Sequence, residues 1–134
     1  MACWNTVRMD IALCPCGSGR DYAACCGALH GGAPAADAEA LMRSRYSAYV
    51  RGLEAYLLAS WHPATRPAGL DMAWMSKTKW LRLKVTGRRD IDPDHAEVDF
   101  VAKFIEGGRH GQMTERSRFV REEGRWYYLD GDVG

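Results

Sequence analysis

The sequence predicts an α+β fold, with helices first, a run of antiparallel strands after them, and a compact cysteine cluster ahead of both. Three observations carry that prediction. Apolar residues recur at helical spacing between positions 34 and 61, and beyond Lys79 the period drops to two. Four cysteines also crowd into the short segment from Cys14 to Cys26.

The first helix is expected from Pro34 to Gly52. Pro34 suits a first-turn position, and Asp37 and Glu39 favour the positive N-terminus. Ala38, Leu41, Met42, Arg45, Tyr46, Tyr49 and Val50 form one stripe, while Glu39 and Arg43 are spaced for a surface pair. A second short helix follows over residues 53–61, Pro63 and Pro67 break the chain, and a third turn or short helix covers residues 70–77. In the strands, Leu81, Leu83 and Val85 point one way. Val98, Phe100, Ala102 and Phe104 repeat the pattern, then Met113, Glu115, Ser117 and Phe119, then Trp126 and Tyr128. Asp92-Pro93-Asp94, Gly107-Gly108 and Glu123-Gly124 supply the turns. Helices followed by four sequential strands imply an antiparallel sheet covered on one face.

Bulk properties narrow the function. The 134 residues suit one ordinary domain with a small appendage, and the apolar share of 47% supports a real core. A net charge of +1 with both signs interspersed leaves no electrostatic footprint for nucleic acid or anionic lipid. No stretch is apolar enough to span a membrane. Arg8 and Asp10 interrupt the N-terminus, which argues against a signal peptide and for a cytoplasmic location. Residues 1–13 lack periodicity and are expected to be flexible, and Met9 is a second candidate for the translation start.

In a reducing compartment, clustered cysteines point to metal before disulfides. Cys14, Cys16, Cys25 and Cys26 offer the four thiolates of a closed tetrahedral zinc site, and Gly17 and Gly19 permit the tight turns between them. Unliganded cysteines packed as small hydrophobes are the alternative. Redox chemistry is disfavoured by the absence of Cys-x-x-Cys. Cys3 lies outside the cluster. The segment from Gly27 to Pro34 reads as a glycine- and alanine-rich linker.

The cysteine segment resembles the SEC-C motif of the SecA translocation ATPase and of many small bacterial proteins. The resemblance runs through Cys14, Cys16, Gly17, Ser18, Gly19, Arg20, Tyr22, Cys25 and Cys26, and it implies one structural Zn2+ per chain. The body is similar to the YchJ family of uncharacterised bacterial proteins. The similar stretches are residues 34–49, Trp61-His62-Pro63 with Arg66, residues 98–102, residues 115–120 and residues 126–128. That resemblance implies an NTF2-like middle domain, a cone of helices on a bent antiparallel sheet. It divides the chain into a flexible stretch 1–13, a SEC-C knuckle 14–32 and an NTF2-like domain 33–134. Longer members carry a second C-terminal cysteine motif, which has no counterpart here.

A cone of this kind often encloses a pocket. Candidates for its lining are Arg45, Tyr49, His62, Phe100, Glu115, Ser117 and Trp126. An enzymatic reading makes Glu115 or His62 a general base and Arg45 an oxyanion partner, while the structural alternative is a buried Arg45–Glu115 pair. His62 alone suits a loop anchor, and His30, His95 and His110 are expected on the surface. Trp61, Trp74, Trp80, Trp126, Tyr46, Tyr49 and Tyr128 read as core. Arg82, Lys84, Arg88 and Arg89 read as a solvated basic stripe. The expected function is a docking module whose partner is protein, with the translation or export machinery suggested by analogy with SecA, and with a homodimer as a further option. Nucleic acid is disfavoured, because Arg8 and Arg20 are offset by Asp10 and Asp21 and four thiolates leave zinc with net negative charge. The alternative is an NTF2-like enzyme of isomerase or dehydratase type acting on a small apolar substrate.

Overall fold

Asp37 begins the principal helix: its Oδ1 accepts from the Ala40 N–H at 2.8 Å, satisfying one of the free donors of the first turn. In the computed structural model, which describes residues 13–133 apart from the side chains of Met72 and Trp74, this helix is the second of four. A 3-10 turn (Tyr22–Ala24) leads into α1 (Cys26–His30), followed by α2 (Ala38–Arg51), α3 (Glu54–Ala59) and α4 (Met72–Lys77). Four strands complete the chain: β1 (Thr78–Asp92), β2 (His95–Glu106), β3 (Arg109–Glu122) and β4 (Arg125–Val133). Pro34 therefore lies ahead of α2 and not in its first turn, since the Asp37 side chain provides the cap. Gly52 closes α2 in the left-handed region, at φ 72°, where a Cβ would be strained. Most of residues 1–13, including Cys3 and Met9, and the side chain of Trp74 lie outside the described residues.

The sheet runs β1-β2-β3-β4 with every neighbouring pair antiparallel. It is bent by register shifts in β1 between Trp80 and Arg82, Val85 and Gly87, and Asp90 and Asp92. The first corrects the expected alternation. Leu81 is the extra residue of a bulge and is 42% exposed, while Trp80 takes the inward place opposite Phe104. A further shift at Arg118/Phe119 opposes Ser117 to Gly131 and Glu115 to Val133.

The concave face meets α2. Leu41, Met42 and Tyr46 pack with Val98, Ala102, Phe119 and Trp126, and Trp80, Phe100 and Tyr128 border that core. The convex face is a mesh of cross-strand ion pairs. Arg89 reaches Glu97 and Asp99, Arg116 pairs with Asp99, and Arg118 pairs with Asp130 and Asp132. Arg88 instead turns toward Asp37 and Glu39, tying β1 to the start of α2.

The expected linker is another correction. Residues 26–30 are helical, and the knuckle is bound along α2. Arg43 Nη1 donates to the Cys16 carbonyl at 2.9 Å. The His30 Nε2–H donates to the Ser44 carbonyl at 2.8 Å, and its Nδ1 accepts from the Tyr22 hydroxyl at 2.5 Å. The Arg51 guanidinium lies 4.2 Å from the centre of the Tyr22 ring. Gly27 permits this closure, since a Cβ there would stand 2.9 Å from the Tyr22 ring. His30 is thus half-buried, and burial lowers its pKa below the usual histidine range.

Candidate metal centre and ring-sized cavity

Two tight turns bring the cysteines together. Gly17 and Gly19 adopt φ of 82° and 83°, and the Cys14 N–H donates to the Arg20 carbonyl at 2.9 Å, closing the loop on itself. All four sulfurs lie within 4.8 Å of one another and all four residues are buried. Cys16 and Cys25 sulfurs are 3.6 Å apart, and those of Cys25 and Cys26 are 4.0 Å apart. A tetrahedron with zinc–sulfur bonds of about 2.3 Å has edges of about 3.8 Å, so these residues fit a closed tetrathiolate centre. A zinc ion held by all four thiolates would have no open position for substrate.

The surroundings suit the same charge. Ser18 Oγ stands 3.2 Å from Cys25 Sγ, Arg20 Nη2 donates to that sulfur at 3.6 Å, and Ser47 Oγ lies 3.5 Å from Cys14 Sγ. Hydrogen bonding from Cys26 pulls the Cys16 thiol down to about 4, whereas Cys26, bonded to Cys16 and buried, is pushed up. Thiols so close cannot all ionise unless a cation compensates them.

The second feature is a cavity of about 150 Å³ between α2 and the concave sheet. Of the seven expected lining residues, Arg45, Tyr49, Phe100, Glu115 and Ser117 come together there. Two do not. His62 donates from Nε2 to Glu122 at 2.9 Å and accepts the Ala64 N–H at its Nδ1, so it anchors the loop after α3 to the sheet. Trp126 belongs to the packed core nearer residues 33–35, with Arg121 over its ring. Both had apolar or aromatic neighbours in the sequence, and only the path of the chain shows which side of the core each serves.

Arg45 and Glu115 share the cavity without forming an ion pair. Arg45, 6% exposed, donates from Nη1 to the Leu57 carbonyl at 2.8 Å and to Ser60 Oγ at 2.7 Å. Its guanidinium carbon lies 4.9 Å from the centre of the Trp61 ring and 4.4 Å from that of Tyr128. Burial lowers its pKa. Glu115 Oε2 accepts from Ser117 Oγ at 2.7 Å and from Tyr128 Oη at 3.1 Å. Tyr128 therefore stands between the two charges, its ring on the cation and its hydroxyl on the acid. Burial foremost, then the charge of Glu115, raises its pKa. Gly131 makes the room: a Cβ there would sit 2.8 Å from Glu115 Cδ. Tyr128 and Gly131 were absent from the expected site. Tyr128 shares the inward face with Trp126, whereas the shift that sets Gly131 beside Glu115 has no signal in the pattern.

Comparison with known proteins matches these two parts. Residues 37–131 match the family described as YchJ, middle NTF2-like domain, and residues 12–28 match the SEC-C motif. The chain is 58% identical over 118 residues to a UPF0225 protein of Xanthomonas oryzae pv. oryzae, covering 87% of this chain and 92% of that protein. It is 50% identical over 125 residues to a UPF0225 protein of Bordetella parapertussis, covering 91% and 93%. The solution structure of a SEC-C motif-containing protein from Rhodopseudomonas palustris is similar at TM-score 0.80 and 38% identity, covering 89% of this chain and 96% of that one. A crystal structure of a SEC-C motif-containing protein from Psychrobacter arcticus reaches TM-score 0.73 at 31% identity, covering 90% and 82%. An NTF2-like domain preceded by a SEC-C motif is thus what the matches describe, and the chain belongs to the YchJ (UPF0225) family of SEC-C motif proteins.

Proposed function

We propose that this protein is a zinc-binding docking module: one structural Zn2+ on Cys14, Cys16, Cys25 and Cys26 holds a knuckle that meets a protein partner, and the NTF2-like domain is its scaffold. The observation that carries this reading is the closed, buried set of four sulfurs. Such a site has no open position for catalysis, and its free energy goes into holding a surface in shape. The inward side of the knuckle is occupied by α2. The loop carrying Ser18, Gly19, Arg20, Asp21, Ala23 and Ala24 is exposed and free to meet a partner. The translation or export machinery is the partner class suggested by the motif's place in SecA, and a cytoplasmic location accords with it. No described helix is long and apolar enough to cross a membrane.

Metal analysis of gently purified protein is expected to give about one zinc per chain, and Cys25→Ser should lose it. Affinity capture from native cells, comparing wild type with Ala24→Arg, tests docking apart from metal, because that variant keeps all four ligands. Loss of a partner set in Ala24→Arg is expected, and identical partner lists would sink the docking reading. A second reading, an isomerase- or dehydratase-type enzyme, is favoured by the open cavity in which Glu115 and Arg45 stand without an ion pair between them. In it Glu115 serves as base, and His62, committed to Glu122, does not.

A further inference from the structure

The cavity between α2 and the sheet has a chemistry that the knuckle does not explain. A volume of about 150 Å³ accommodates the body of a single six-membered ring. Its walls are largely aromatic, including Tyr46, Tyr49, Trp80 and Phe100. Two charges of opposite sign open on it, a buried Arg45 and a half-buried Glu115, and a charge taken out of water is tolerated where hydrogen bonds or an opposite charge meet it. Arg45 donates from Nη1 to the Leu57 carbonyl and to Ser60 Oγ, and Glu115 accepts at Oε2 from Ser117 and Tyr128.

Tyr128 sets the separation of the two poles. The guanidinium rests over its ring, and the carboxylate lies beyond its hydroxyl. A ligand spanning from one to the other has the length of one tyrosine side chain. It needs an acceptor at the Arg45 end, an apolar ring in the middle and a donor at the Glu115 end. An isolated anion would meet the field of Glu115, and an isolated cation that of Arg45. A purely apolar molecule would add no hydrogen bond at either pole.

We infer that this cavity binds a single-ring, mostly apolar molecule carrying a carbonyl or carboxylate acceptor for Arg45 and, at the opposite end of the ring, a hydroxyl donor for Glu115. The site is independent of the docking reading, since none of its residues lies in the knuckle, and an unchanged partner list leaves it standing.

The test uses the zinc-loaded full chain with 4-hydroxybenzoate as the probe and benzoate and phenol as controls that each lack one polar end. Met42 and Met113 line the cavity, and Met75 lies in a separate cluster under α3, so methyl-labelled methionines report the location of binding. Saturable shifts of Met42 and Met113 with 4-hydroxybenzoate are expected, with Met75 unmoved and each control at least ten-fold weaker. Glu115→Gln should narrow the gap between 4-hydroxybenzoate and benzoate to about two-fold or less. It keeps the shape of the side chain, so folding can be checked by the unchanged Met75 signal. Arg45→Lys should narrow the gap between 4-hydroxybenzoate and phenol in the same way. Absence of saturable shifts, equal affinity for all three probes, or preferences unchanged in a folded Glu115→Gln would each overturn the inference.

Discussion

At the scale of single residues, small and polar side chains decide where the two charges of the cavity stand. Arg45 occupies a stripe otherwise apolar, and its tolerance rests on the Leu57 carbonyl, Ser60 and two aromatic faces. Glu115 depends on a vacancy at Gly131 and on two hydroxyl donors. Gly131→Ala should therefore push the carboxylate off Ser117 and Tyr128. A loss of about 1–2 kcal/mol in urea unfolding is expected, as for other additions to a packed site. The check is whether Glu115→Ala in the same background recovers part of that loss, since it removes the clash. The presence of an Arg in α2 and a Glu in β3, each on an apolar face, was legible from periodicity. Their failure to pair was not. A distance between two side chains depends on the bend of the sheet, which bulges in β1 set without any period in the sequence.

At the scale of elements, α1 and the 3-10 turn show how a glycine-rich stretch becomes structure. Gly27 to Pro34 has linker composition, yet residues 26–30 form a helical turn because His30 reaches Ser44 and Tyr22 closes over Gly27. The neutral imidazole serves both bonds, donating at Nε2 and accepting at Nδ1. Protonation removes the accepting nitrogen. With its folded pKa lowered by burial, His30 is at full effect above its unfolded pKa of about 6.5, and that contribution is lost as pH falls through the lower folded value. Urea unfolding of the wild type should weaken across that acid window more steeply than that of His30→Gln, whose side chain does not titrate. Parallel pH profiles would show that His30 contributes nothing to the dock. The C-terminal boundary of α2 was legible at Gly52, whereas its start lies at Asp37 and not at Pro34. Pro34 misled because a good first-turn residue yields to a side chain that actually caps.

At the scale of the whole molecule, α2 is shared. Arg43, Ser44, Ser47 and Arg51 hold the knuckle, and Met42, Arg45, Tyr46 and Tyr49 line the cavity, so neighbouring residues on one helix serve both sites. The knuckle is therefore part of the body and not a tail upon it. Removing the metal with a strong chelator should lower the melting temperature of the entire chain by about 5 °C or more in one transition, because binding to the native state alone adds to its stability. It should also move the Met42 methyl signal, and restoring zinc should reverse both effects. A knuckle that melts separately, with Met42 unmoved, would show that the two parts are uncoupled. The convex face of the sheet is charged and internally paired.

What the sequence by itself determined is what short-range chemistry controls: the four cysteines with glycines between them, the helical stripe of α2, the period-two strands and their turns, and through motif and pattern the family. These rest on spacing along the chain, which is read directly. Only the tertiary structure decided that the knuckle lies along α2, that Leu81 is expelled by a bulge, that His62 and Trp126 serve other surfaces, and that Tyr128 and Gly131 hold Arg45 and Glu115 apart around a ring-sized space. Each of those depends on sheet curvature and on packing between residues far apart in the chain, where a shift of one residue in register turns a side chain from one face to the other.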